Sequence, residues 1–184
     1  MFALRAVSLF FLAATLATAS PVAAPAAVDK RASTAAVQSV LTTLQSNTNT
    51  ILPQLNALST SGTASEANVT PLIGQLTSAI NTATSSLSSL PASNKRQTED
   101  EVATVVAGII TEIGTTLNVL PIEAIPGLET LIVAVDVALE ELLVGLDVVI
   151  AGVITLVSGL LVTVSVLLDS VGLGLVLGLL GLGL

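Results

Sequence analysis

Apolar residues recur along the first half of the chain at alternating spacings of four and three. Val37, Leu41, Leu44, Ile51, Leu55 and Leu58 keep that rhythm with Thr48 in its one gap, and Val69, Ile73, Leu76, Ile80, Ala83, Leu87 and Leu90 keep it unbroken. Such spacing lays one apolar stripe along each of two helices. Between them Ser59–Ser65, containing Gly62, supplies a turn, so residues 32–91 form an expected αα-hairpin. Pro53 is expected to kink the first helix or to start a new turn in it. The outward positions are Ser, Thr, Asn and Gln, and Glu66 is the only charge between Ala32 and Leu90. Ser and Thr are modest helix formers, so packing has to hold this hairpin together.

A third helix opens at Thr98. Thr98 and Glu101 have the spacing of a capping box, while Glu99 and Asp100 add negative charge at the positive end of the helix dipole. Val102, Val105, Val106, Ile109, Ile113 and Leu117 form its apolar face, and Pro121 marks its end. Three consecutive acids on a helix do not converge on one ion, and no loop of alternating oxygen ligands is present. The cluster is therefore a helix start rather than a calcium site. No metal and no cofactor are expected.

Beyond Leu128 the pattern turns almost wholly aliphatic. On a wheel of about 100° per residue, Glu129, Asp136, Glu140 and Asp147 fall close to one line, and Ser158, Ser165 and Asp169 continue it. Ala138, Gly145, Gly152 and Gly159 run opposite, a row of small residues where another helix backbone can approach. Asp136 and Glu140 stand four residues apart, where like charges repel, so the acidic edge is expected to face water. Val148–Leu168 holds 21 residues without a charge. That length can span a bilayer, but flanking Lys or Arg and an aromatic belt are missing, and a helix in a bundle is favoured. The tail Val171–Leu184 contains only Val, Leu and Gly. It is expected to pack on the bundle, to self-associate or to enter an apolar interface, a helix completing the core being the plainest of these. The whole pattern predicts an all-α bundle of about four to six helices, with the hydrophobic, acidic region at 99–184.

Charge and composition narrow the chemistry. Gln97 to Leu184 carries eleven acidic residues and no Lys or Arg, and the net charge of the chain is −8. Phosphate binding needs clustered cations, which excludes nucleic acid as a partner. The chain has no Cys, His, Trp or Tyr, which removes the thiolate nucleophile, the imidazole base and the soft metal ligands. Carboxylate pairs such as Glu140 with Asp147 lie on a wet helix edge with no concave site to perturb them. No catalytic residue is assigned, and enzymatic activity is not expected.

The N-terminus carries a targeting pattern. Arg5 provides a basic region, Ala6–Ala17 an apolar one, and Ala17-Thr18-Ala19 a small-x-small site before Ser20. Residues 1–19 therefore fit a secretory signal peptide cleaved between Ala19 and Ser20. The dibasic pairs Lys30-Arg31 and Lys95-Arg96 hold four of the five basic residues. They resemble the sites of Kex-type processing proteases, making 20–31 an expected propeptide and 92–98 a linker that is either cut or merely spaces two helical units. A secreted chain without Cys relies on helix packing or on a surface for its order. Asn68-Val69-Thr70 is an N-glycosylation sequon, with Pro71 just after it weakening its use.

These features converge on a family. The signal peptide, the dibasic propeptide end, the absence of Cys, the segments VLTTLQSNTNTILPQLNAL, NVTPLIGQLTSAINTATSSLSSL and DEVATVVAGI, and the Leu/Gly/Val-rich end resemble small secreted proteins of mushroom-forming fungi. Those proteins serve the hyphal wall and aerial growth, partly in place of hydrophobins. The likeness rests on layout and helix pattern and brings no functional residue with it. It implies an extracellular, cell-wall-associated, non-enzymatic structural protein that promotes aerial growth or attachment to hydrophobic surfaces. Its expected partners are an interface with air, wax or lipid, other copies of itself, and cell-wall polysaccharide. A membrane-inserting protein, or a peptide precursor cut at Arg96, is the alternative class.

Overall fold

The computed structural model describes residues 25–91 and 99–183, with side chains from Ala35 onward. Ala19, Ser20, Lys95, Arg96 and Thr98 lie outside the described residues; Lys30 and Arg31 fall within the first helix, but their side chains are not described. The elements are α1 (Pro25–Thr60), α2 (Glu66–Ser88), α3 (Glu99–Asn118), α4 (Leu128–Val149), α5 (Val153–Leu161), α6 (Ser165–Val171) and α7 (Gly174–Leu179). Short 3₁₀ turns at Ile122–Ala124 and Val162–Val164 precede α4 and join α5 to α6. The described residues contain no strand. Over the described residues the fold is an all-α bundle of four long helices closed by three short ones.

The two periodic stripes become the facing sides of the hairpin. Val37, Leu41, Leu44, Ile51, Leu52 and Leu55 of α1 and Val69, Ile73, Leu76, Ile80, Ala83 and Leu87 of α2 are buried. Thr48 is buried with them, and its hydroxyl donates to the Gln45 carbonyl at 2.9 Å, so the gap in the stripe leaves no polar atom orphaned. Pro53 stays inside α1 without ending it. Both Pro53 and Asn49, whose carbonyl loses its partner, lie on the exposed side, where water replaces the missing donor.

Around the bundle, α2 lies between α1 and α4, while α3 lies between α1 and the α5–α6 segment. With the α5–α6 segment packed on it as well as α1, α3 presents a wider apolar face than its one stripe. Accordingly α3 buries Ala103, Ala107, Ile110 and Gly114 beyond the expected positions. At Gly114 the approach is close: a Cβ there would sit 2.6 Å from Leu168 Cδ2.

The C-terminal third turns where glycine permits. α4 ends at Val149, and Gly152, at φ +94°, starts α5 in a new direction, so Val148–Leu168 is not one continuous helix. One stretch, Val153–Val171, is long and apolar enough by length and composition to cross a membrane, although a 3₁₀ turn interrupts it. Gly172, at φ +90°, closes α6: its N–H bonds the Asp169 carbonyl and the Leu173 N–H bonds Leu168, the paired contacts of a left-handed helix end. The chain then folds back, α7 packs on α4 and α6, and Leu173, Val176, Leu177 and Leu180 are buried. The tail thus completes the core.

Candidate functional surface

The most distinctive surface is the outer side of α4. Its inner side buries Leu128, Ile132, Val135, Leu139, Leu142 and Leu146, while α2 and α7 flank it. Val133, Val137, Val144 and Val148 fall within about 60° of one another on the helix and remain 39 to 68% exposed. Leu160, Val162 and Val166 are similarly open on α5–α6. Isolated exposed valines need no explanation, but four on one helix face form a stripe. Glu129 and Glu141 are exposed on the same helix, and Glu140 is half-buried.

The acidic edge divides into different environments. Asp136 does not face water. It is 3% exposed, and its two carboxylate oxygens accept the N–H groups of Leu175 at 2.8 Å and Val176 at 3.0 Å. The wheel puts it on a polar line, but the returning tail covers that side of α4, and backbone donors replace water. Asp147 is half-buried and accepts the Gly152 N–H at 3.0 Å, capping the joint between α4 and α5. Glu99, Asp100 and Glu101 occupy the first turn of α3. Glu101 accepts from Gln38 Nε2 of α1 at 3.0 Å, while Glu99 lies alongside Gly152. Among the described residues no cluster has the makings of a metal site.

The row of small residues is likewise not one seam. Ala138 is buried and Gly145 approaches the Thr84 methyl of α2, so these two sit where α2 and α4 meet. Gly152 is the joint itself and Gly159 faces open space. The turn at Gly152 breaks the straight helix that the row requires. Asn68 is exposed in the first turns of α2, and its amide donates to the Thr63 carbonyl at 3.3 Å.

The polar faces of α1 and α2 offer fewer hydrogen-bond donors than their composition suggests. Thr42, Thr50, Thr77, Thr82 and Ser85, among others, donate to the carbonyl four residues earlier in their own helix. This back-bonding commits the hydroxyl proton to the backbone and leaves the oxygen as an acceptor. A shallow open groove of about 800 Å³ runs along α2 beside Leu131 and Ala134 of α4, lined by such hydroxyls at Thr77, Thr82 and Ser85. The described side chains include twelve carboxylates and no cation. What the arrangement presents, then, is an unpaired aliphatic stripe on a wholly anionic body, beside a hydroxyl-rich hairpin.

A search against protein-family models finds no match. A curated relative does match. Over 68 residues the chain is 52% identical to "Fruiting body differentiation protein 16" of Flammulina velutipes. The chain resembles a mushroom protein. The matched region covers 37% of this chain and 52% of the relative, so the chain spans about half the length of the curated relative it matches. The relative's name fits a fungal developmental role and specifies no activity.

Proposed function

We propose that this protein is a secreted, non-enzymatic structural protein of the fungal surface that adsorbs to hydrophobic interfaces and supports aerial growth or attachment during fruiting. The observation that carries the reading is the valine stripe of α4, left open on a body whose described side chains carry charge of one sign only. An aliphatic face in water gains roughly 25 cal/mol per Å² on transfer to air, wax or oil. The hydroxyl-bearing α1–α2 hairpin stays on the wet side. The signal-peptide pattern of residues 1–19 supports export, and the relative's fruiting-body name supports the developmental setting.

Purified mature protein is expected to lower the surface tension of a pendant drop and to bind hydrophobic beads at neutral pH. Failure of both ends this reading. One observation favours a second one: Val153–Val171 has the length and hydropathy of a membrane span. Carbonate-resistant association with membranes, in place of recovery from medium and wall, would select a membrane-inserted protein instead.

A further inference from the structure

We propose that α7 is a releasable strap: Asp136 fastens its first turn to α4, and its release is the step by which the bundle opens onto an apolar interface. The second half rests on the adsorption reading above, while the first stands on contacts alone. A helix start leaves orphan N–H groups, usually satisfied by the side chain of the residue just before it. For α7 that residue is Leu173, which provides no side-chain cap. The carboxylate of Asp136, 39 and 40 positions away, takes over the task at Leu175 and Val176. These are the second and third residues of the helix, the donors that a cap side chain would satisfy.

No other hydrogen bond among the described residues fastens α7 to a helix distant from it in sequence. Among the described residues, the other hydrogen bonds of 173–183 are made within the tail or to the Leu168 carbonyl at the end of α6. A six-residue helix does not persist alone in water, so α7 exists through this cap and through the burial of Leu173, Val176, Leu177 and Leu180. The two holds respond differently to an apolar phase. The aliphatic side chains exchange one apolar surface for another at little loss, whereas the two bonds to Asp136 have no replacement there. Asp136 and Thr48 are the buried polar residues of the described chain, and Thr48 serves its own helix. Of these two, Asp136 is the one that joins distant segments, and Gly172, at φ +90°, is the joint on which the strap turns.

The test uses the full chain and two variants. Asp136→Asn weakens the acceptor; Leu175→Pro removes one donor at an exposed, first-turn position and leaves Asp136 in place. Hydrogen–deuterium exchange is read by segment, and pendant-drop tension gives the adsorption lag. In both variants, amides of 173–182 should exchange at least about tenfold faster than in the native chain, those of α1–α3 should change by less than about twofold, and the lag should shorten. Unchanged tail exchange in both variants overturns the strap. A uniform rise across the whole bundle in both also overturns it, because Asp136 is then a general support of the core. Faster tail exchange with an unchanged lag overturns release as the opening step. A native chain that never lowers surface tension sinks the adsorption reading, and the exchange data still decide the strap.

Discussion

Replacing Val133, Val137, Val144 and Val148 together by Ala tests whether the α4 stripe is the adsorbing face. Ala removes two carbons from each side chain, worth about 0.8 kcal/mol each on full transfer from water. The four positions are between 39 and 68% exposed, so about half of that transfer is still available to an interface. The loss is then roughly 0.8 kcal/mol per site and about 3 kcal/mol for the quadruple variant. At about 1.4 kcal/mol per factor of ten, binding to hydrophobic beads should fall on the order of a hundredfold. Stability should not fall with it. Ala is the better helix former by a few tenths of a kcal/mol per site, and all four valines are exposed rather than part of the core. Depletion isotherms on alkyl-coated beads and thermal melting, measured side by side, separate the two effects. A bead affinity within about threefold of native, with an unchanged melting curve, would refute the assignment of this face.

Other substitutions probe the packing. Gly108 is exposed in mid-α3, and a Cβ added there would meet nothing within 4 Å, so Gly108→Ala should stabilise by about 0.5–1 kcal/mol in denaturant titration. Gly114→Val in the same helix should cost about 1–3 kcal/mol, because its Cβ meets Leu168 in a filled core. Equal effects of the two would mean that α3 and α6 are not in contact. Thr48→Val deletes a buried hydroxyl whose only partner among the described residues is a carbonyl of its own helix, and it should be neutral or stabilising by up to about 1 kcal/mol. A loss of more than about 1 kcal/mol in the same titration would show that the Thr48 hydroxyl has a second, structural task.

The hairpin is legible in the sequence because its information is local. Although α1 and α2 each have two neighbouring helices, their buried positions keep almost wholly to one stripe, so a period of 3.6 and a Gly-bearing turn suffice to place Leu41, Leu44, Ile73 and Ile80 inside. α3 is less so: its stripe is buried except for the half-buried Val105, and Ala107 and Gly114 join the core on the helix that α5 and α6 approach from a second side. Beyond α4, local rules fail in two ways. The wheel assumes a straight helix, and Gly152 ends that premise, leaving Gly159 in solvent. The wheel also ranks a carboxylate by its own helix alone. It sets Asp136 beside water because nothing near it in sequence donates a hydrogen bond; its donors lie about forty residues on, in a tail whose glycines argue against any helix. The same glycines sit at the turns that bring the tail back. A signal is present: Asp136 is an acid on a helix whose flanking positions, Val135 and Val137, are apolar, but it points to burial only once a covering segment is known.

Charge explains why such a stripe can stay open in water. With a net charge of −8 and twelve carboxylates among the described side chains, two copies meeting face to face repel. Glu129 and Glu141 lie on α4 itself, so repulsion acts where the valines would otherwise pair. An uncharged interface imposes no such opposition. Charge is therefore expected to oppose pairing of the stripe with its own copies at low salt and to leave it open to air or wax. Salt tests this directly, since the Debye length falls from about 30 Å at 0.01 M to about 3 Å at 1 M. Light scattering should show monomer at low salt and growing association as salt rises, and the four-Ala variant should associate less at every salt concentration. Association that ignores salt would show that charge does not guard the stripe. Association that follows salt but survives the four Ala substitutions would place the sticky surface elsewhere, with Leu160, Val162 and Val166 of α5–α6 the next face to change.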